Sequence, residues 1–317
     1  MLLDIRYLAH FRYEQNVSES HNELRACPAS DPRQKVHSYQ VTVDPAARIF
    51  SFTDYWGTRV DAFGVRQAHP SLRVHAQASV ETAPATPPTS VSFDRLVDRA
   101  FREDHFEYLE PSPHTDWEST VPTEARRRAE AAGDDALSVV RALHEFVRER
   151  VSYVKGSTYV GVEVTEILER GAGVCQDFAH VVIALCRSIG IPARYVSGYL
   201  FAADETEDDA ESDEPIEVET HAWSEIALPG GGWWPIDSVT GQTIGPRHVK
   251  IGHGRDYDDV APLRGVFFGP PDHSLDVGVQ VRQTREEGRE STVTWLATVD
   301  PSNGNGSAGA GRTQPSQ

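Results

Sequence analysis

Three residues of this sequence have the chemical types that acyl transfer needs. Cys175 follows the glycines of "GAGV" and opens an apolar stretch, His221 lies in "THAW", and Asp237 lies in "WWPIDSV". A thiolate is a nucleophile, an imidazole can take and return its proton, and a carboxylate can orient the imidazole. At the first turn of a helix, unpaired N–H groups and the positive end of the dipole favour the thiolate form. Gly171 and Gly173 are expected to let the backbone come close to a substrate. Cys175 shares a helical face with Phe178 and Val182, so it should point into the fold. On that stretch alone, a small buried core cysteine reads equally well. A histidine on a strand is commonly structural, and an aspartate beside a turn is commonly a turn former. The order Cys, His, Asp on helix, strand and strand is what favours chemistry.

The elements that must position these residues follow from period and punctuation. Residues 1–82 read as a β-rich N-terminal domain: "SLRVHAQASV" alternates apolar and polar, and "RIFSFTDYWGTRVDAFGV" reads as two strands joined near Tyr55-Trp56-Gly57. "APATPPTS" marks a proline-rich linker over 83–91. A helix is expected over "SFDRLVDRAFREDHFEYL" with Ser92 as its cap, and another over "DDALSVVRALHEFVRERVSY" opening at the Asp pair. The helix begun at Cys175 carries Phe178, Val182, Leu185 and Ile189, and Gly190 with Pro192 stop it. Strands follow in "ARYVSGYLF", in "THAWSEIAL" with "GWWPIDSV", and in "LDVGVQVRQ". The second domain thus spans 92–285, with a solvated acidic loop over 203–219. The tail 299–317 has almost nothing to bury and reads as disordered.

Composition narrows the function classes. The 317 residues carry 48 acidic against 30 basic side chains, a formal charge of −18, and only three lysines: Lys35, Lys155 and Lys250. Such a surface suits concentrated salt, where the Debye length of about 3 Å at 1 M screens self-repulsion. It makes nucleic acid an unfavourable partner. The opening "MLLDIRYLAHFRYEQ" meets Asp4 and Arg6 before an apolar run develops, and no membrane span is evident, so a cytoplasmic protein is expected. Cys27, Cys175 and Cys186 suggest neither a disulfide framework nor a zinc ribbon.

The blocks "GAGVCQDFAHVVIALCRSIGIPARYVSGYL", "THAWSEIALPGGGWWPID" and "GHGRDYDDVAPLRGVFFG" resemble the transglutaminase-like cysteine superfamily, in its bacterial and archaeal branch with an N-terminal β domain. "LDIRYLAHFRYEQNVSESHNELRACP" is similar to that branch's first domain. The resemblance implies an α+β fold: a papain-like core, in which the helix carrying the cysteine packs on an antiparallel sheet, preceded by a β-rich domain. It implies Cys175 as nucleophile, His221 as general base and acid, and Asp237 as orienting carboxylate, acting through a thioester. The chain departs from the family pattern after the aspartate, where Ser238-Val239-Thr240 stands in place of Pro-Thr.

The remaining residues read more plainly. Trp223 and Trp234 flank the histidine and aspartate and are expected to wall the site. His180 and Cys186 read as packing residues, and Arg255-Asp256-Tyr257 as a structural ion pair. "PGGGW" is a hairpin turn rather than a phosphate loop, and no cofactor is expected. The favoured function is hydrolysis of an amide or peptide bond in a peptide or protein substrate, ahead of cross-linking. A zinc hydrolase using Cys175, His180 and His221 is an alternative whose spacing fits no common zinc pattern. A non-catalytic peptide-binding or assembly module on the same fold is another. The sequence does not reveal the oligomeric state.

Overall fold

A computed structural model describes residues 1–86, 88–89, 91–201, 215–241 and 244–284. The first part is all strand: β1 (Leu2–Val17), β2 (Glu19–Leu24), β3 (Gln34–Asp44), β4 (Ile49–Thr53), β5 (Arg59–Val65) and β6 (His69–Thr82). A helical part follows, with α1 (Arg99–Asp104), α2 (Thr120–Ala132), α3 (Ala136–Arg150), β7 (Ser152–Tyr153), α4 (Val164–Arg170), β8 (Ala172–Gly173) and α5 (Cys175–Ser188). Then come β9 (Ala193–Leu200), β10 (Ile216–Val218), β11 (Thr220–Leu228), β12 (Gly232–Ile236), β13 (His248–Gly254), α6 (Tyr257–Val260), β14 (Leu263–Phe268) and β15 (His273–Gln283). The fold is α+β.

The N-terminal strands do not close a unit by themselves. β1 buries every second residue and lies at the centre of the sheet β10-β15-β1-β6-β3, so both of its edges need partners. β15 supplies one, pairing Ile5 with Val281 and Phe11 with Leu275. β14 likewise completes the sheet β14-β2-β5-β4. A division at residue 92 therefore does not follow the packing, because segments between 216 and 283 complete both N-terminal sheets. Residues 202–214 of the acidic stretch lie outside the described residues, but its end is no loop: alternating Ile216 and Val218 form β10 against Val281 and Val279. The tail 299–317 also lies outside them, as do Pro87 and Ser90 of the linker, whose Ala85 is buried and donates its N–H to Ile244 O.

The third sheet, β12-β11-β9-β13, is antiparallel throughout. Ala222, Ile226 and Leu228 of β11 join the helical core with α5, while Tyr199, Val249 and Ile251 join the core of the N-terminal sheets. The sheet is thus held between helices and β-strands. α5 is the central helix, buried at every position but its last, including its polar residues Gln176, Asp177, His180 and Arg187.

The single helix expected over 92–109 is broken into a 3-10 turn, α1 and a second 3-10 turn. Asp98 is extended, and its carboxylate caps the N–H of Ala100 at 2.9 Å, starting a new helix instead of continuing the old one. Ser92 makes no side-chain cap. α3 does begin at the Asp pair, with Asp135 accepting from Ser138 N at 2.9 Å. α2 and α4 carry too few buried residues for their periodicity to stand out.

Candidate active site

Cys175 is the first residue of α5, and the start of this helix is built from side chains on both sides of it. The Asp177 carboxylate accepts the N–H of Val174 at 2.8 Å and the hydroxyl of Thr158. Burial raises the Asp177 carboxyl, while Thr158 and Val174 pull it down. Gly173 is needed here: a Cβ would lie 2.8 Å from Asp177 Cβ. Gly171 ends α4 at φ +67°, a left-handed position that favours glycine. Both glycines therefore serve the turn into α5.

His221 is the second residue of β11 and lies opposite Gly198 of β9. Its neighbour Trp223 is 1% exposed and presses on the glycine, where a Cβ would fall 2.5 Å from the indole ring. The β11–β12 ladder ends at Ser224↔Ile236, so Asp237 is the first residue past the strand. A turn places it instead. Asp237 Oδ1 accepts the N–H of Val239 at 2.9 Å and of Thr240 at 3.3 Å, and Gly241 N donates to Asp237 O at 3.1 Å. The Ser238-Val239-Thr240 departure thus keeps a carboxylate-capped turn, and Thr240 Oγ1 donates to Oδ2 at 2.8 Å.

These placements bring the three residues together. His221 Nε2 donates to Asp237 Oδ2 at 2.9 Å, and the imidazole is also hydrogen-bonded to Cys175. Burial alone would lower the His221 pKa, but hydrogen bonds and attraction from Asp237 and Cys175 carry it up to about 10. Burial would likewise raise the Asp237 carboxyl, yet His221 and His248 hold it far below the usual carboxylate range. Cys175, His221 and Asp237 are all buried. The other two thiols are driven by burial up to about 11 at Cys27 and about 12 at Cys186, so both are protonated at neutral pH.

The sequence reading missed His248. Its Nε2 donates to the same Asp237 Oδ2 at 3.2 Å, while its Nδ1 accepts the N–H of Gly245 at 3.4 Å. Trp223 stands edge-on to its ring at 5.6 Å and tilted to His221 at 6.2 Å. The indole therefore buttresses both imidazoles. Trp234, by contrast, packs with the helical core, its ring 5.8 Å from the Arg141 guanidinium. It alternates onto the face of β12 opposite Ile226, which is the helix side. His144 Nε2 reaches the backbone oxygen of Asp237 at 3.3 Å. No sequence spacing links His144 or His248 to the aspartate, since each arrives from a separate element.

His221, Asp237 and His248 offer nitrogen and oxygen atoms within 4.8 Å of one another, as do His114, Asp256 and Asp258. Cys175, His180 and His221 form no such set among the described residues. His180 Nε2 instead accepts the N–H of Tyr257 at 3.2 Å, and its ring stacks on His114 at 5.4 Å. Burial, with His114 and Arg187, keeps it neutral. Arg255 pairs with Asp259 at 2.9 Å, not with Asp256, whose carboxylate caps Asp258 N and His114 N.

Residues 124–238 match the transglutaminase-like superfamily, and residues 3–81 match the bacterial transglutaminase-like N-terminal region. An uncharacterised protein of Mycobacterium leprae (strain TN) is 36% identical over 85% of this chain and 94% of its own length. The chain belongs to the transglutaminase-like superfamily. A second relative of this transglutaminase-like protein, from Mycobacterium tuberculosis H37Rv, is 29% identical over 87% of the chain and 91% of its own. The fold also matches a crystal structure of a candidate cysteine protease from Cytophaga hutchinsonii, with TM-score 0.68, 23% identity and 94% of each chain covered. No helix of the described residues is long and apolar enough to cross a membrane.

Proposed function

We propose that this transglutaminase-like protein is a thiol hydrolase of amide or peptide bonds, with Cys175 as nucleophile, His221 as acid and base, and Asp237 as the group that orients the imidazole. The observation that carries this reading is the position of His221, hydrogen-bonded at once to Cys175 and to Asp237. A histidine that holds its proton up to about pH 10 keeps an acid ready beside the sulfur. The Cys175 thiolate attacks the carbonyl carbon, and the electron pair moves to the oxygen. As that tetrahedral species collapses, the C–N bond breaks and His221 gives its proton to the departing nitrogen, leaving an acyl thioester. Neutral His221 then takes a proton from water as the hydroxyl oxygen attacks the thioester. The carboxylic acid leaves and the sulfur is released.

Water is the favoured acceptor over a lysine amine. Of the three lysines, Lys250 is buried and ion-paired to Glu225, which leaves Lys35 and Lys155 on the surface. A cytoplasmic location belongs to the same proposal, as does a salt-rich working medium, which rests on the −18 charge and the scarcity of lysine.

The test is incubation of wild type and Cys175→Ala with a peptide mixture in heavy-oxygen water containing a primary amine. Mass spectrometry should find one heavy oxygen at new carboxyl groups, lost in Cys175→Ala. Amine incorporation in preference to oxygen would make the protein a transamidase. No change in any peptide, together with retained peptide binding, would favour the non-catalytic binding module.

A further inference from the structure

The sheet β14-β2-β5-β4 has one face on the N-terminal core and another that is strongly apolar yet uncovered by any described residue. Phe50 and Phe52 of β4 are 57% and 47% exposed, and Val266 and Phe268 of β14 are 55% and 56% exposed. These belong to the two outer strands, while the strands between present Ala62, Gly64 and His21. Small residues in the middle and large ones at the margins make a trough of about 830 Å³. Gly64 keeps its floor low, for a Cβ there would fall 2.9 Å from His21 Nδ1. An apolar surface of this kind, rimmed by polar groups, marks an interaction site on a soluble protein.

The rim identifies the partner's charge. On a chain of net charge −18, this trough is lined by Arg48, Arg66 and Arg264, against one carboxylate, Glu23. Glu23 lies 3.6 Å from Arg25, and Arg264 reaches Asp258. Arg48 lies over the Phe50 ring at 4.7 Å, and neither it nor Arg66 forms an ion pair among the described residues. Two arginines without carboxylate partners among the described residues, beside exposed aromatic and aliphatic side chains, are complementary to carboxylates alternating with apolar residues.

We propose that this trough docks an extended acidic peptide segment carrying apolar side chains, with Arg48 and Arg66 binding its carboxylates and the Phe50 and Val266 walls burying its apolar residues. The site is separate from the thiol centre, because none of its lining comes from α5, β9 or β11. It gives the N-terminal sheets a recognition role that holds whatever Cys175 does. At high ionic strength long-range attraction is screened, so direct contact pairs and apolar burial would carry the affinity of such a site.

The experiment uses the full chain and a fluorescein-labelled dodecapeptide alternating Glu with Leu and Phe, read by fluorescence anisotropy. A peptide with Lys in place of Glu is the control. Saturable binding of the acidic peptide is expected, about tenfold weaker for the lysine peptide and about tenfold weaker in the double variant Arg48→Glu/Arg66→Glu. Phe50→Ser/Val266→Ser should weaken it similarly, and both sites are exposed enough for unchanged circular dichroism and Tm. Equal binding of the two peptides, or affinity unaffected by either double variant, overturns the proposal. So does a wild-type dimer that Phe50→Ser/Val266→Ser turns into a monomer, since a second copy would then be the occupant.

Discussion

His221 and Asp237 are joined Nε2 to Oδ2 at 2.9 Å, although the strand pairing between their elements ends before it reaches either residue. The contact is made by a histidine at the start of one strand and a carboxylate in the turn beyond the next. What fixes it is therefore the turn at 237–241 and the second histidine on the same oxygen, rather than the sheet register.

Asp237→Asn should damage both activity and fold. The carboxylate accepts from two backbone N–H groups, the Thr240 hydroxyl and two imidazoles, and an amide would turn an N–H toward donors. A loss of about 100-fold or more in kcat/KM is expected, with about 3–5 kcal/mol of stability lost by chemical denaturation.

His248→Phe removes one donor from Asp237 Oδ2 and keeps an aromatic ring beside His221, whose centroid lies 6.2 Å from that of His248. A drop of about tenfold in kcat/KM is expected, with partial recovery in His248→Gln, which keeps a donor. The carboxylate, less neutralised, should hold the His221 proton more tightly, so the alkaline limb of the pH–rate profile should move up. A merely structural role for His248 would leave that limb in place.

The pH dependence of stability has a definite sign. The His221 pKa is raised from its usual 6.5 to about 10, so its contribution is full below about 6.5 and disappears as pH rises through about 10. The Asp237 carboxyl is depressed, so its contribution is present above the ordinary value of about 3.9 and is lost as pH falls toward its folded-state value. Tm of wild type should decline between pH about 7 and about 10, and His221→Ala should flatten that decline.

Glu225→Gln should cost more than Lys250→Met. Glu225 Oε2 accepts from Lys250 Nζ at 2.6 Å and from Arg194 Nε at 2.7 Å, and it ties β11 to both β9 and β13. Removing the carboxylate strands two largely buried cations, whereas removing the lysine leaves the Glu225–Arg194 pair intact. Differential scanning calorimetry of the two variants should rank them in that order.

Raising KCl from about 0.1 to about 2 M should raise Tm, because it screens the repulsion of a −18 chain. A Tm that falls or stays flat would remove the salt-rich medium from the proposed function.

Local chemistry made much of this protein legible in its sequence. The start of α3 at Asp135, the placement of Cys175 at the first residue of α5 and the end of that helix before Gly190 follow from caps and stop residues, which act within a turn or two. The strands β6, β9 and β11 follow from period-2 alternation or from β-branched and aromatic runs. Long-range partners left no such trace. β14 and β15 belong to the N-terminal sheets because unpaired strand edges there need them, and nothing in their own residues says which edge they will join. The same holds at the site. Sequence order could nominate Cys175, His221 and Asp237, but His248, His144 and Thr240 converge on the aspartate only once the sheet and the 237–241 turn are formed. Tertiary structure also decided that Gly173 packs against Asp177 and that Trp234 packs against the helical core to which Cys175 itself belongs. A residue's type and near neighbours fix what it can do, while packing and backbone pairing across the whole chain fix what it meets.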